Sequence, residues 1–173
     1  MKKIDNKIHL MPGELVVTIG IDKIWTTLGS CISIVFYHRE SGLCGMCHAQ
    51  MPEKKDYDTV CSDSCPDPCF NDSHNENEFK YVSCSIRYMI NAFQTSGISL
   101  DEIEVYLVGG SRQKKYDDNT FNIGRENIDV ARKMLKSKHL LIKKQDVGGN
   151  IGRTIEFYPK EGNLNISYVN IQS

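Results

Sequence analysis

The sequence predicts one layered α/β (α+β) domain in which two main helices cover a mixed, largely antiparallel sheet. Three observations lead there. Short runs of β-branched and aromatic residues fill most of the first fifty positions, and two stretches with helical spacing of apolar residues follow. Further strand-like runs lie between and after those stretches. The length of 173 residues suits a single domain, 1–173, with a core of its own.

The first part of the chain is predicted to form strands and a hairpin. Residues 14–21 and 23–27 are short strands that lead into it. The first hairpin strand, 32–37, is β-branched and aromatic, and the return strand covers 43–51 after a polar turn that contains a glycine.

The turn sets which residues of this hairpin face each other. A loop of even length centred on Arg39 and Glu40 places Cys31 directly opposite His48, whereas an odd length would break that pairing. Opposed residues of an antiparallel pair have Cβ atoms about 4.5–5.5 Å apart. The expected register therefore brings a thiol and an imidazole within reach of one proton.

A cysteine beside a histidine is a candidate nucleophile beside its base. A nearby imidazolium lowers the pKa of a thiol such as Cys31, and the thiolate is the reactive form. Gly29 and Ser30 allow a tight turn, and backbone N–H groups there suit an oxyanion. Thr26 or Thr27 has a hydroxyl that could orient the base. The alternative is structural, because free cysteines are among the most buried residue types.

Residues 53–77 form the least regular stretch and are predicted to be a surface insertion. Its cysteines recur at every fourth position: Cys61, Cys65 and Cys69. Three thiols could bind zinc or an iron–sulfur cluster, with His74 or Cys84 as fourth ligand, although the spacing matches no standard signature. The alternative is a loop that merely contains cysteines.

The two helices are predicted from apolar residues that recur at helical spacing. The first covers 78–95 and ends at Ser96-Gly97, and the second opens at 121–124 and runs to about residue 137. The remaining strands are predicted at 103–108, 140–144, 154–158 and 164–171. The glycine-rich stretch 146–153 is a tight turn rather than a phosphate loop, since a strand follows it.

Charge and composition exclude several classes of function. The formal net charge is −1, with 21 basic and 22 acidic side chains, which predicts neither a nucleic-acid nor a membrane-surface partner. The sequence shows no signal peptide and no apolar run long enough to span a membrane, so we expect a cytoplasmic protein. Seven cysteines, an odd number without an export signal, argue against a disulfide framework.

Six motifs occur in a fixed order between about residues 13 and 168. They are Thr26-x-Leu28-Gly29-Ser30-Cys31, His48-x-x-Met51-Pro52, Lys80-Tyr81, Gly109-Gly110, Asn122-Ile123-Gly124-x-x-Asn127, and Asp146-x-Gly148-Gly149-Asn150-x-x-Arg153 followed by Phe157. Together they resemble the bacterial chemoreceptor glutamine deamidase family, CheD.

The resemblance implies a cysteine amidohydrolase, a protein-glutamine glutaminase with a Cys-His-Thr triad. Cys31 matches the family nucleophile, His48 the base, and Thr26 fits the family threonine better than Thr27. The implied reaction converts glutamines on the cytoplasmic helices of methyl-accepting chemoreceptors to glutamates through a thioester. It needs no metal and no organic cofactor. The substrate-binding residues stay unassigned.

One segment departs from the family pattern. After Gly109-Gly110 many members have a small-small-Met-Phe segment that the resemblance implicates in docking the CheC phosphatase, whereas this chain has Ser111-Arg112-Gln113-Lys114. Two cations in place of an apolar anchor predict weak or absent binding of that partner. The alternative function is a non-catalytic signalling adaptor that binds receptor helices or a chemotaxis partner.

Overall fold

Two five-stranded sheets and two α-helices make up the described part of the chain, which is residues 1–53, 78–112 and 122–170 of a computed structural model. The strands are β1 (Lys2–Ile4), β2 (Lys7–His9), β3 (Leu15–Thr18), β4 (Lys23–Leu28), β5 (Ile32–Tyr37), β6 (Cys44–Cys47), β7 (Glu104–Gly109), β8 (Ile142–Val147), β9 (Gly152–Tyr158) and β10 (Asn163–Val169). The helices are α1 (Val82–Thr95) and α2 (Ile123–Ser137). Short 3₁₀ turns, Glu78–Lys80 and Leu100–Glu102, precede α1 and β7.

The strands divide into a central sheet, ordered β3-β6-β5-β7-β8, and an outer sheet, ordered β1-β2-β4-β9-β10. The β7–β8 and β2–β4 pairs are parallel, and the other pairs of these sheets are antiparallel. The predicted fold class, a mixed and largely antiparallel sheet with two helices, is therefore confirmed. The division into two sheets was not predicted.

Strand β5 shows how the layers are stacked. Its residues Ile32, Ile34 and Phe36 belong to the apolar cluster that packs against α1 and α2. The alternate residues Val35 and Tyr37 belong to a second cluster, between the two sheets. Each residue of β5 is buried because both faces of the central sheet are covered. The order of layers is therefore helices, central sheet, outer sheet.

The two predicted helices are confirmed, and only α1 starts later than predicted. Helix α1 begins at Val82 after a 3₁₀ turn, and Gly97 at φ 79° ends it with the left-handed conformation that glycine adopts at low cost. In α2 the Asn122 side chain accepts a hydrogen bond from the Arg125 N–H, which caps the first turn.

The register of the β5–β6 hairpin was predicted wrongly, by two residues. Phe36 lies opposite Gly45 rather than Leu43, and the His38 N–H donates to the Leu43 carbonyl at 2.9 Å to close a loop of residues 39–42. The loop is centred on residues 40 and 41 because its last residue, Gly42, takes a left-handed φ of 72°. A Cβ on Gly45 would lie within 3.3 Å of α1 side chains, so glycine fits this position best.

The first two strands were missed because each is only three residues long. Asp5 and Asn6 make the turn between them at positive φ, which these residue types tolerate. The Cys61, Cys65 and Cys69 prediction lies outside the described residues. Within the described ranges there is no group of three or more His, Cys, Asp or Glu side chains that could hold a metal ion. The same ranges contain no helix long and apolar enough to cross a membrane.

Candidate active site

Cys31 and His48 lie on the same face of the central sheet but not directly opposite each other. Ile32 and Ala49 pair through two backbone hydrogen bonds of 2.9 Å, and the cysteine and histidine each precede one member of that pair. They are therefore diagonal neighbours, a relation with Cα atoms about 7–8 Å apart and Cβ atoms somewhat closer. The expected direct pairing is corrected, whereas the expected shared face is retained.

That face is the one between the two sheets. Cys31 is half-buried against the cluster there, which contains Cys44 and Met46, four and two residues before His48 on alternate positions. From the outer sheet, Thr26 points into the same layer between the buried Ile24 and Leu28. The fold thus brings the cysteine, the histidine and a threonine from two sheets to one place.

The hydroxyl of Thr26 links the histidine ring to a backbone carbonyl. Its Oγ1 lies 2.7 Å from the Leu10 carbonyl oxygen and 2.7 Å from His48 Nδ1. A hydroxyl has one proton and a carbonyl can only accept, so Thr26 donates to Leu10 and accepts from the Nδ1–H of His48. This chain of hydrogen bonds leaves His48 Nε2 with a free lone pair, which is the form a general base needs.

The neighbouring threonine has a different role. Thr27 points away from the layer between the sheets, and its Oγ1 lies 2.9 Å from Thr154 Oγ1 on the exposed side of the outer sheet. Strand alternation alone separates the two hydroxyls. Of the two candidates that the sequence left open, the structure places Thr26 against His48.

The backbone of His48 is fixed by the segment that follows β2. The Gly13 N–H donates to the His48 carbonyl and the His48 N–H donates to the Glu14 carbonyl, each at 2.8 Å. Together with the Leu10 carbonyl, this segment holds both the backbone and the ring of the histidine. Sequence reasoning missed Leu10 because a backbone carbonyl leaves no signal in residue type.

The turn before Cys31 is held by the end of β7. The Gly110 N–H donates to the Cys31 carbonyl at 2.8 Å, and the Ser111 N–H donates to the Gly29 carbonyl at 2.9 Å. Gly109 and Gly110 have φ values of 113° and 68°, and a Cβ on Gly109 would lie 2.4 Å from the Cys31 carbonyl oxygen. The glycine pair is therefore required for close approach of two backbones.

The glycine-rich turn after β8 holds the backbone of Gly109, next to the segment that contacts Cys31. The Gly148 N–H donates to the Gly109 carbonyl at 2.8 Å. The buried Arg153 side chain holds the turn, donating to the Gly148 carbonyl at 2.8 Å and to Asp146 Oδ1 at 2.8 Å. The predicted tight turn is confirmed, and it acts as a brace for the segment next to Cys31.

Burial keeps both candidate catalytic groups neutral. It raises the pKa of the Cys31 thiol, against a smaller opposite effect of the residue's own N–H. Burial also lowers the pKa of His48 to about 4, with the Leu10 carbonyl acting in the opposite direction. The resting site therefore holds a thiol and a neutral imidazole, not the thiolate beside an imidazolium that the sequence led us to expect.

Comparison with known proteins identifies the family. The family described as CheD chemotactic sensory transduction matches residues 65–168. A Methanococcus maripaludis protein named "Probable chemoreceptor glutamine deamidase CheD" is 30% identical over 88% of this chain and 88% of its own length. A Caldanaerobacter subterraneus protein of the same name is 32% identical over 92% and 86%. A Geobacter sulfurreducens relative, with the suffix 2, is 29% identical over 94% and 90%. This chain belongs to the CheD family.

The neutral resting state predicts how Cys31 reacts with an alkylating reagent. We expect its rate with iodoacetamide to rise with pH to a midpoint above the ordinary 9.0, because burial raises the pKa of the thiol. Mass spectrometry of the Cys31 peptide separates this site from the other six cysteines, and Cys31→Ala gives the background. A rate that is already constant between pH 6 and 9 would show a resting thiolate and contradict this prediction.

Proposed function

We propose that this chain hydrolyses glutamine side chains of chemoreceptors to glutamate, with Cys31 as nucleophile, His48 as base and Thr26 orienting the base. The observation that carries the proposal is the Thr26 hydroxyl between the Leu10 carbonyl and His48 Nδ1. It leaves Nε2 free to take a proton, and the names of the relatives supply the substrate.

The first half-reaction makes a thioester. Cys31 Sγ attacks the side-chain carboxamide carbon of the glutamine while His48 Nε2 takes the thiol proton, so neither group needs a charge beforehand. The carbonyl electron pair moves to oxygen, and backbone N–H groups of the turn at Gly29 and Ser30 are the proposed donors to the developing charge. His48 then gives its proton to the nitrogen, the C–N bond breaks and ammonia leaves.

The second half-reaction releases glutamate. His48 Nε2 takes a proton from water, and the resulting hydroxide attacks the thioester carbonyl. The C–S bond breaks and the proton returns to Cys31 as a thiol. The net change replaces NH₂ by OH, a gain of about one dalton. Because such receptor helices face the cytoplasm, the proposal also places the enzyme there.

Adjacent threonines provide a matched test of this mechanism. Thr26→Val leaves the Nδ1–H of His48 unsatisfied, at a cost of about 1–3 kcal/mol, which corresponds to about fivefold to 150-fold in kcat. Thr27→Val removes only the exposed contact with Thr154 and should leave kcat unchanged. The measurement is mass spectrometry of a receptor cytoplasmic domain, scored as the rate of the one-dalton gain at glutamine.

Cys31→Ala distinguishes the enzyme from an adaptor in the same assay. The enzyme loses the mass gain completely but keeps binding to the receptor domain. An adaptor gives no mass gain with the unaltered protein, and Cys31→Ala changes nothing. Equal activity in Thr26→Val and Thr27→Val would refute the role of Thr26.

We also infer that this chain binds a CheC-type phosphatase weakly or not at all. Ser111 is buried, with its N–H bonded to the Gly29 carbonyl, and the exposed Arg112 follows it. Gln113 and Lys114 lie outside the described residues. In the segment Ser111-Arg112-Gln113-Lys114, Lys114 stands where the family has its Phe. A cation there cannot fill a dry pocket on a partner without losing its hydration.

A pull-down of purified CheC-type phosphatase with the unaltered chain tests this inference. We expect no retention above the bead background, since the segment lacks an apolar anchor. The double variant Gln113→Met, Lys114→Phe restores the family's apolar pair, and any gain in binding from it supports the stated reason. Tight retention that Arg112→Glu abolishes would refute the inference.

A further inference from the structure

Asn127 is a fully buried polar side chain on α2 that the mechanism above does not use. Its Nδ2 donates to the Ser30 carbonyl at 3.2 Å and to the Gln50 carbonyl at 3.0 Å. Ser30 directly precedes Cys31, and Gln50 lies two residues after His48. One amide group therefore ties together the two segments that hold the candidate nucleophile and the candidate base.

The orientation of this amide follows from its neighbours. Both are carbonyl oxygens, which accept and cannot donate, so the NH₂ group must face them. Both Nδ2 protons are used, and within the described ranges the buried Oδ1 has no hydrogen-bond partner. The amide therefore acts here through its two donors, each of which holds one backbone carbonyl.

The Ser30 carbonyl differs from the carbonyls beside it. Backbone N–H groups of the segment after β7 hold the carbonyls of Gly29 and Cys31. Only a side chain, that of Asn127, holds the carbonyl between them among the contacts of the described residues. Substitution of one residue can therefore release this peptide group and leave its two neighbours in place.

The Ser30 carbonyl and the Cys31 N–H belong to the same peptide group. A trans peptide is planar, with its C=O and N–H pointing in opposite directions. Since Asn127 holds the Ser30 carbonyl towards α2, the Cys31 N–H of the same peptide points away from that helix. This N–H makes no backbone hydrogen bond to another described residue.

We infer that Asn127 is a positioning residue that fixes the Ser30–Cys31 peptide so that the Cys31 N–H donates to the oxyanion formed at the attacked carbon. The inference rests on the proposed function of Cys31 as an acyl-transfer nucleophile. It extends to any acyl donor that reaches this sulfur, since every such reaction passes through a tetrahedral oxyanion.

Two reagents that react at the same sulfur test the inference. Acylation by p-nitrophenyl acetate forms an oxyanion, whereas alkylation by iodoacetamide displaces iodide and forms none. We expect Asn127→Leu, which keeps the branched shape of the side chain without its donors, to slow acylation of Cys31 at least about tenfold, since loss of one oxyanion donor costs about 10²–10³ in an enzyme. Alkylation should change less than about threefold. Intact-peptide mass spectrometry measures both rates.

Leu135→Ala is the control for a purely structural role. Leu135 is fully buried on the same helix, in the core cluster on the helix side, so its truncation lowers the urea midpoint. It should leave the ratio of acylation to alkylation unchanged. Asn127→Ser replaces Asn127→Leu if the latter does not fold; serine is too short to hold both carbonyls and should shift the ratio in the same direction.

Equal slowing of both reagents, or no slowing of either, would overturn the role of Asn127. The deamidase proposal can fail independently of this role. In that case the unaltered protein gives no mass gain on a receptor domain, whereas Asn127→Leu still slows acylation more than alkylation. With an active receptor substrate, Asn127→Leu should lower kcat and leave KM unchanged, because the donor acts only in the transition state.

Discussion

The site depends on one hydroxyl that joins two sheets. Thr26 belongs to the outer sheet, His48 follows the last central-sheet strand of the hairpin, and the Leu10 carbonyl follows β2. The tautomer of the histidine is therefore set by how the sheets pack, since a shift between them would separate Thr26 from the ring. The apolar cluster between the sheets, which includes Leu28 and Phe157, is what holds that relation. Packing between the two sheets therefore also determines which ring nitrogen of His48 carries the proton.

The cysteine side of the site is built by different means. The turn before Cys31 is held by backbone hydrogen bonds from the segment at the end of β7, which contains the glycine pair. The turn after β8, which Arg153 stabilises, donates a hydrogen bond to that glycine pair. Helix α2 adds one side-chain contact, from Asn127. The same burial that orders these groups keeps the thiol and the imidazole neutral. Two tasks are thus separated in the fold: the outer sheet positions the candidate base, and the helix layer positions the turn next to the candidate nucleophile.

The sequence predicted those features that depend on local pattern. Helical spacing gave both helices, β-branched runs gave the β5–β6 hairpin, and strand alternation placed Cys31 and His48 on one face. The register was wrong because Gly42 at positive φ, not the polarity of the loop, sets where the turn closes. The split into two sheets depends on the pairing of β4 with β9, more than a hundred residues away, which no local pattern encodes. The roles of Leu10 and Asn127 depend on backbone carbonyls and could be found only from the structure.

The protonation state of the His48 ring in the resting protein decides whether the Thr26 hydroxyl sets the tautomer of the histidine. Nitrogen-15 NMR of the histidine-labelled protein, with His48 assigned by the signals lost in His48→Gln, distinguishes a bare ring nitrogen from a protonated one. At pH 7 we expect a protonated Nδ1 and a bare Nε2, because Thr26 can only accept from the ring and burial lowers the pKa of His48 to about 4. A proton on Nε2, or an imidazolium at that pH, would contradict this expectation.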